Sequence, residues 1–571
     1  MQENVLISKA TKRNWERLGV EVTEQQSKLA KRANKRYSTK KIIPTEYLTN
    51  KNTPQTIEKI LKYTTDIEST IYTLALNLLS QNELINLEKK PISNNQYILE
   101  ILENYTSKNI NTELLKLELP QERDLLGIAY QSLMSEGNKN VKGSYYTPCS
   151  IIQKSLLNLK PADKFLDPCC GTGSFLLEAS KTISNPNNIF GCDLDKTACF
   201  IAKINLIIQF KEKTFSPNII NCDFLTTNLF DTKFDMIATN PPWGAITQDK
   251  YKKLFPQISS DEIFSYFIIK TSNMIKENGQ LIFILPESIL NVKAHQDIRN
   301  FILSNMSIDE ISLFGKAFNG VLTDVITLKL INKNFSNNQI KIFAKKAMTL
   351  SQDYYTNNPN NKFSIMDNKD AEILAKIYSI PHTTLKNNSI WGLGIVTGNN
   401  QKHIAKTPEK MQNPHKIYTG KNIIKGELTD SEFYIDYQRN NFQQVAPDNI
   451  YNAEEKLVYK FISKKLVFAY DNKQRLFLNS ANILIPDIEN YSMIDVMKFL
   501  NSTIFQYIYQ KRFNELKILK NNLIELPFPK HYKFNSEELS DDNIFKIFNL
   551  TQEEITYIKK EVGVKNESAN L

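Results

Sequence analysis

Apolar positions recur along the first quarter of the chain at steps of three and four residues. Between residues 53 and 134 the positions with this spacing include Ile57, Ile60, Leu61, Ile71, Leu74 and Leu78. Such a spacing places side chains on one face of a helix. The pattern therefore predicts a helical N-terminal region over residues 1–140, which begins with a basic arm.

From residue 151 onward, short apolar runs alternate with helical segments. The runs include KFLDPC, NIFGCDLD, FDMIATNPPW and GQLIFILPES, with turn residues at the junctions. Strands separated by helices are typical of a doubly wound, Rossmann-like α/β sheet. We assign this domain to residues 141–345 and the Asn-rich stretch that follows, residues 346–390, to a linker.

Beyond Trp391, predicted strands and helices mix without regular alternation, which indicates a mixed α/β domain over residues 391–530 and a helical tail over residues 531–571. The composition, 41% hydrophobic and 23% charged, is typical of a globular protein. No apolar run approaches the roughly 18 residues that span a membrane. Because the start also lacks an apolar signal core, we expect a cytoplasmic protein of a bacterium or archaeon.

The net charge of +10 is distributed unevenly along the chain. Residues 141–330 carry only +1, whereas residues 1–50 carry +6 and residues 391–530 carry +5. Basic segments on both sides of a nearly neutral centre indicate that these segments bind a polyanion such as nucleic acid. Ordinary solvated lysines explain the charge equally well, so charge alone does not decide between the two interpretations.

The histidines and cysteines do not form a metal-binding pattern. The six cysteines lie between residues 149 and 222 without a CxxC pair, and the five histidines are scattered. We therefore predict reduced thiols and no metal site.

A glycine-rich turn follows the first predicted strand of the α/β domain, in the segment DPCCGTGSF that starts at Asp167. Gly171 and Gly173 allow the backbone to turn tightly and approach a ligand, and the helix that follows favours a negative group at its N-terminus. A turn of this kind also occurs without a ligand. For Asp167 the alternative to ligand contact is that its carboxylate holds the loop through backbone amides.

Two further predicted strands end in carboxylates. Asp193, in GCDLD, stands where nucleotide-binding α/β proteins bind ribose hydroxyls. Asp223 and Phe224, in NCDFL, offer an acceptor for an adenine amine and a ring that packs on the base. Three acidic strand ends along one edge predict a nucleoside pocket, and chance placement of surface aspartates is the alternative.

The segment FDMIATNPPWG, residues 234–244, completes the pattern. Pro241 and Pro242 fix the backbone after Asn240, so that its amide is held at a strand end beside the flat ring of Trp243. With these residues in place, the order DPCCGTGSF, GCDLD, DF, NPPW resembles the N6-adenine family of amino-group DNA methyltransferases. The segment GSYYTP that precedes them is similar to a family segment that closes over the methionine part of S-adenosylmethionine.

The resemblance implies a Rossmann-like, S-adenosyl-L-methionine-dependent methyltransferase domain followed by a target-recognition domain. It implies that the cofactor is bound by Tyr146, Thr147, Pro148, Asp167, Gly171, Gly173, Asp193, Asp223, Phe224 and Asn240. It implies catalysis by Asn240, Pro241, Pro242 and Trp243 on an adenine that is flipped out of duplex DNA and packed between Trp243 and Phe318. For both rings, a place in the hydrophobic core is the alternative.

The implied partners are double-stranded DNA and a separate restriction endonuclease or other defence subunits. Three alternatives stay open: a bifunctional restriction-modification enzyme, a methyltransferase on another planar nitrogen such as an RNA base or a protein glutamine, and a decayed fold that only binds DNA. Residues 1–140 show no carboxylate pair and lysine arranged as a metal nuclease requires. A basic C-terminal domain disfavours a glutamine substrate.

Overall fold

The computed structural model of the chain describes residues 20–22, 41–43, 48–87, 91–105, 109–135, 146–228, 230–244, 249–260, 262–317, 323–333, 337–513, 517–530 and 536–563. The chain divides into two compact units, Met1–Phe363 and Ser364–Leu571. Phe318 and most of the basic arm lie outside the described residues, so their predicted roles stay predictions. Within the described ranges, no helix is both long and apolar enough to cross a membrane.

The first unit contains the helices that the three- and four-residue spacing predicts. The helix Ile67–Gln81 is capped by Asp66, whose side chain accepts a hydrogen bond of 2.8 Å from the amide of Ser69. The helices of this unit are α1 (Thr53–Tyr63), α2 (Ile67–Gln81), α3 (Gln96–Glu103), α4 (Thr112–Leu115), α5 (Leu125–Leu133), α6 (Cys149–Ser155), α7 (Ser174–Ala179), α8 (Lys196–Gln209), α9 (Asp249–Leu254), α10 (Phe264–Ser272), α11 (Gln296–Asn305) and α12 (Gln352–Asn357).

Short strand pairs accompany these helices, and a large sheet follows. The pairs are β1 (Val20–Val22) with β2 (Lys41–Ile43), and β3 (Asn86–Leu87) with β4 (Pro91–Ile92). In the part of the unit that the structure describes, the sheet has nine strands: β5 (Phe165–Asp167), β6 (Ile189–Asp193), β7 (Asn218–Asn221), β8 (Phe234–Thr239), β9 (Ile275–Pro286), β10 (Ser307–Gly315), β11 (Val325–Ile331), β12 (Gln339–Phe343) and β13 (Ala347–Ser351).

The strand order of the sheet is β13-β12-β10-β11-β9-β8-β5-β6-β7. Strands β5 to β9 run parallel, and β11 pairs antiparallel with both β9 and β10. The chain proceeds outward from β5 through β6 and β7, then returns to the other side of β5 with β8. Such a reversal of strand order opens a crevice at the carboxyl ends of the strands, where ligands bind. The predicted Rossmann-like fold is confirmed.

One hydrophobic core joins the N-terminal helices to the sheet. It runs from Leu48 and Ile57 in the helical region to Phe165 in β5 and Val325 in β11, all buried. The helical region is therefore part of the same folded unit as the sheet, because its apolar faces are covered by sheet and crossover-helix residues.

The second unit is a mixed α/β structure, as predicted. Among its described residues, one sheet has the order β15 (Ser389–Leu393), β22 (Ala481–Pro486), β19 (Lys456–Lys460) and β20 (Phe468–Asp471), and another has the order β16 (Ile404–Ala405), β18 (Tyr434–Asp436), β17 (Pro414–Tyr418) and β21 (Leu476–Phe477). β14 (His382–Thr383) pairs with β23 (Phe528–Pro529). The helices are α13 (Asn368–Ser379), α14 (Asn400–His403), α15 (Asp448–Tyr451), α16 (Met493–Leu500), α17 (Thr503–Arg512), α18 (Lys520–Leu523), α19 (Asp541–Ile547) and α20 (Gln552–Val562).

The predicted division of the chain into five parts stays a prediction. Residues 346–390, predicted as a linker, contain β13 and α12 in the first unit and α13 in the second. Helix α13 begins at a capping box, in which the side chains of Asp367 and Asp370 each accept a hydrogen bond from the other's backbone amide.

Candidate active site

A cavity that is open to solvent lies at the carboxyl ends of β5, β6 and β8, where the strand order reverses. The predicted site residues that line it are Tyr146, Thr147, Asp167, Gly171, Asp193, Asp223, Phe224, Asn240 and Pro242. Of the predicted residues that the structure describes, four do not line it: Pro148, Gly173, Pro241 and Trp243. The structure thus brings most of the sequence-predicted positions to one cavity.

The two glycines of the loop after β5 serve different purposes. Both have left-handed backbone conformations, with φ of 52° at Gly171 and 97° at Gly173, a region that most side chains avoid. A Cβ at Gly171 would meet no atom within 4 Å, so the backbone there is open to the cavity. A Cβ at Gly173 would lie 3.2 Å from the Cβ of Ala202, so this glycine allows α8 to pack closely on the loop.

Asp193 ties the end of β6 to the glycine loop. Its Oδ2 accepts a hydrogen bond of 2.9 Å from the amide of Gly171, and its Oδ1 accepts one of 2.8 Å from the amide of Asp195. The carboxylate is therefore fixed at the cavity wall. Leu194, which the sequence analysis did not select, also lines the cavity and is 71% exposed. The signal that could have identified Leu194 is its apolar side chain between two aspartates at the end of a strand.

Asp167 is buried at the floor of the cavity. Its Oδ1 accepts a hydrogen bond of 3.0 Å from the amide of Cys169, which is the loop-holding contact that the sequence analysis gave as an alternative. Burial raises the pKa of Asp167 to about 7, because a charged carboxylate is costly to remove from water. Because Asp167 also lines the cavity, its side chain can contact a ligand as well as support the loop.

Asp223 and Phe224 lie on the loop after β7. Asp223 Oδ2 accepts hydrogen bonds of 2.6 Å from Lys250 Nζ and 3.0 Å from the Tyr251 hydroxyl. Partial burial acts to raise the pKa of Asp223, but these two donors outweigh it and hold the pKa below its usual value. Phe224 is 3% exposed and stacks on Phe267 with ring centroids 5.6 Å apart. Its ring is thus held in a fixed stack at the cavity edge.

Asn240 follows the end of β8, and its amide is oriented by a neighbour. Its Nδ2 donates a hydrogen bond of 3.1 Å to the hydroxyl of Thr147. Among the described residues, none donates a hydrogen bond to its Oδ1. Because the amide nitrogen is held by Thr147, the amide oxygen is left as an acceptor beside the cavity.

The loop after Asn240 is fixed at two further points. The indole N–H of Trp243 donates a hydrogen bond of 3.1 Å to the carbonyl oxygen of Ile284 in β9, and the amide of Gly244 donates one of 2.8 Å to Glu262 Oε2. Trp243 is half-buried and packs against the hydrophobic core, together with Phe314. The ring is therefore held in one orientation without being enclosed.

A buried carboxylate that the sequence analysis missed supports the glycine loop. Asp124 caps α5 by accepting a hydrogen bond of 2.9 Å from the amide of Gly127. It also accepts hydrogen bonds of 2.8 Å from the Tyr146 hydroxyl, 2.9 Å from the Thr172 hydroxyl and 2.7 Å from Asn205 Nδ2. Burial raises the pKa of Asp124 to about 6. An aspartate before an apolar run signals only a helix cap, so the sequence contained no sign of its other partners.

Among the described residues, no group of three or more histidine, cysteine, aspartate or glutamate side chains is arranged to hold a metal ion. The cysteines are free thiols, and the sulfur atoms of Cys192 and Cys222 lie 3.0 Å apart. Burial raises the pKa of the Cys192 thiol, which favours its protonated form.

The cavity fits an extended nucleoside with a charged tail. Fixed carboxylate oxygens at Asp193 suit ribose hydroxyls, and the exposed Leu194 side chain suits the face of a base. The open backbone at Gly171 lets a ligand approach the loop closely. These are the features that S-adenosylmethionine requires of its binding site.

The chain was compared with known proteins. Residues 121–388 match the N-6 DNA Methylase family, and residues 415–528 match the TaqI-like C-terminal specificity domain. The chain is 33% identical over 311 residues to the type II methyltransferase M.VspI of Vibrio sp. (strain 343), a match that covers 52% of this chain and 74% of that protein. It is 28% identical over 321 residues to M.HincII of Haemophilus influenzae, covering 53% of this chain and 54% of that protein.

A solved structure with a similar fold is that of the type IIL restriction-modification enzyme MmeI in complex with DNA. The TM-score is 0.52 at 13% sequence identity, and the alignment covers 99% of this chain and 97% of that chain. At this level of identity the similarity concerns the fold alone.

The doubly wound sheet has its cavity at the reversal of strand order, and the family match and the relatives identify the chain as an S-adenosylmethionine-dependent methyltransferase. The chain belongs to the N-6 DNA methylase family, and its relatives include type I and type II restriction-modification methyltransferases. A TaqI-like specificity domain follows the catalytic part. The predicted family, cofactor and C-terminal recognition domain are confirmed.

Proposed function

We propose that the protein transfers a methyl group from S-adenosylmethionine to the exocyclic N6 amine of adenine at a specific site in duplex DNA. The orientation of Asn240 carries this proposal, because Asn240 lines the cavity, Thr147 holds its amide nitrogen, and no described residue donates to its Oδ1. Adenine's amine is a weak nucleophile, since its lone pair is delocalised into the ring. A rigid acceptor can draw its hydrogens away and raise the electron density on nitrogen.

The mechanism assigns two acceptors to the two amine hydrogens. Asn240 Oδ1 takes one and the backbone carbonyl of Pro241 takes the other, so that the nitrogen moves toward tetrahedral geometry. The bound cofactor supplies an electrophilic methyl group on a sulfonium. No strong base is required, and positioning the amine in line with that methyl group supplies much of the rate enhancement. Pro242 keeps the loop rigid after this carbonyl.

An amine inside a base pair cannot reach a recessed loop, so the target adenine is flipped out of the helix. Trp243 then offers the base a stacking surface, because its ring is half-buried and its indole N–H is already bonded to Ile284. Phe318 remains the predicted contact on the opposite face of the base.

The cofactor is oriented by the order of the strand ends. Asp193 binds the ribose hydroxyls of the cofactor. Asp223 and Phe224 bind its adenine end, where the adenine amine replaces one of the groups that now donate a hydrogen bond to Asp223. Gly171, Asp167, Tyr146 and Thr147 then hold the methionine end. Gly173 and Pro148 support these residues from outside the cavity. This orientation brings the methyl group toward Asn240.

The second unit is proposed to read the DNA sequence, since residues 415–528 match a specificity domain. The basic segments 1–50 and 391–530 would bind phosphates. We propose a role in restriction-modification on cytoplasmic DNA, with a separate nuclease as partner. The relatives M.VspI and M.HincII are named as type II methyltransferases, which supports this role.

The test is to express the chain in a host without DNA methylation and to sequence the DNA with detection of modified bases. We expect N6-methyladenine at one sequence motif, and none with Asn240→Ala. Asn305→Ala, an exposed asparagine in α11, serves as the control and should methylate normally. Modified cytosine, or methyl transfer to RNA or a glutamine peptide but not to duplex DNA, would overturn the proposal.

A further inference from the structure

Gln131 is a largely buried polar residue that lines the cavity from α5, within the part of the chain that matches the N-6 DNA methylase family. It lies in α5, is 7% exposed and lines the cavity. Within the described part of the chain, its side-chain amide has no hydrogen-bond partner. The amide is not sealed from solvent but is open to the cavity, so a ligand there can reach it. A ligand bound in the cavity can therefore form a hydrogen bond with the Gln131 amide.

The helix places Gln131 at one particular end of the cavity. Gly127 and Gln131 are four residues apart and share a helix face. At Gly127 this face abuts Tyr146, because a Cβ there would lie 1.7 Å from the Tyr146 hydroxyl. Tyr146 in turn hydrogen-bonds the hydroxyl of Thr172 in the glycine loop. Gln131 therefore belongs to the end of the cavity formed by the glycine loop and residues 146–147.

The adjacent residue fixes the helix at this point. The hydroxyl of Tyr130 donates a hydrogen bond of 2.7 Å to Asp195 Oδ2, and Asp195 caps α8 through the amides of Thr197 and Ala198. Because α5 is anchored both here and at Asp124, the backbone that carries Gln131 is held in place before any ligand arrives. Such preorganisation reduces the entropy lost on binding.

We propose that the side-chain amide of Gln131 hydrogen-bonds the amino-acid end of S-adenosylmethionine. This end carries a carboxylate and an ammonium group, and an amide can donate to the first or accept from the second. The adenine end is assigned to Asp223 and Phe224, so the charged tail is the part of the cofactor that reaches α5. The N-terminal helical region thus contributes directly to cofactor binding. The proposal concerns the cofactor and is independent of which base is methylated.

Truncated ligands test the proposal by calorimetry on the full chain. S-Adenosylhomocysteine retains the amino-acid end, whereas 5′-methylthioadenosine lacks it. For Gln131→Met, which keeps the length of the side chain but removes the amide, we expect about tenfold weaker binding of S-adenosylhomocysteine, in the range of one lost hydrogen bond. Binding of 5′-methylthioadenosine should not change, and this result also shows that the variant is folded.

Two further variants complete the experiment. Gln121→Met makes the same change at an exposed position and should leave both affinities unchanged. Gln131→Glu introduces a charge that repels a carboxylate or attracts an ammonium, so it should change the affinity for S-adenosylhomocysteine alone. The proposal is wrong if the Gln131 variants weaken both ligands equally, or if they weaken neither.

Discussion

At the scale of single residues, Asn240 and Trp243 stand three positions apart on one loop but are held by different contacts. Asn240 is oriented by a side chain, the hydroxyl of Thr147, whereas Trp243 is oriented by a backbone carbonyl, that of Ile284. The first contact sets the direction of an acceptor atom, and the second sets the plane of a ring. Substitutions at the two positions should therefore affect different steps.

Replacing Trp243 should impair capture of the target base more than methyl transfer itself. Stacking of a base on an aromatic ring contributes about 1–3 kcal/mol, so Trp243→Ala should lower the single-turnover methylation rate by roughly 10- to 100-fold. Trp243→Phe keeps a flat ring and should retain most of the rate. Fluorescence of 2-aminopurine at the target position reports base flipping. Equal losses in the two variants would argue that the ring only fills the core.

The buried Asp167 should make cofactor binding dependent on pH. Its pKa of about 7 means that it becomes charged as the pH rises from 6.5 to 8, and a carboxylate attracts the cationic sulfonium. The charged fraction rises over this range from about one quarter to about nine tenths, so we expect affinity for S-adenosylmethionine to rise by up to about fourfold, measured by calorimetry. Asp167→Asn should show a flat profile. A wild-type profile that is already flat would contradict this role.

The same pKa predicts the sign of a stability change in the ligand-free protein. The folded pKa of about 7 lies above the ordinary value of 3.8. The folded state therefore binds the proton more tightly than the unfolded state, and the contribution of Asp167 to the unfolding free energy falls as the pH rises through 7.

The predicted site residues were accessible from sequence wherever the signal was local. The turn at Gly171 and Gly173 and the prolines after Asn240 impose their own backbone geometry, and both motifs lie at strand ends as predicted. The partners of Asp124 and the place of Gln131 at the cavity wall depend on how α5 packs against α8. A single sequence contains no local pattern for such contacts.

At the scale of elements, the carboxylate of Asp124, which caps α5, connects this helix to the glycine loop, to α8 and to Tyr146. Asp124→Ala would remove a shared acceptor from the hydroxyls of Tyr146 and Thr172 and the amide of Asn205, which keep only the bond between the two hydroxyls and the bond of Asn205 to the Thr172 carbonyl. Each unsatisfied buried group costs about 1–3 kcal/mol, and partial rearrangement reduces the sum. We expect the unfolding free energy to fall by about 3 kcal/mol, measured by urea denaturation.

A matched cap provides the comparison for Asp124. Asp66 also caps a helix, α2, by accepting a hydrogen bond from the amide of Ser69, but it is exposed. Asp66→Ala should cost only about 1 kcal/mol, the usual value for an N-cap, and should leave cofactor affinity unchanged. If the two variants lose the same stability, the buried network has no additional effect.

Elements were predicted reliably where hydrophobic periodicity was strong, as in α2 and β8. The elements within residues 346–390 were harder to predict, because the asparagines of this segment signal turns. β13 and α12 gain their stability from packing in the first unit. Leu350 and Tyr355 are fully buried there. Burial by distant parts of the chain overrides a weak local propensity.

At the scale of the whole molecule, the charge distribution predicts how DNA binding depends on salt. Each phosphate neutralised by a lysine or arginine contributes about 0.9 to the slope of log affinity against log salt concentration. Deleting residues 1–50, which carry +6, should weaken DNA binding and flatten this slope. Cofactor affinity, measured in parallel, should be nearly unchanged. Equal loss of both would mean that the segment is structural.

The strand order also governs when the first unit can fold during synthesis. β11 lies between β9 and β10, although it leaves the ribosome after both, and the core shared with α1 and α2 includes Val325 of β11. The core that the N-terminal helices share with the sheet is therefore completed only after more than half of the chain has been translated. Long-range contacts of this kind slow folding, so nascent chains that stop before β11 expose surface for chaperones to bind.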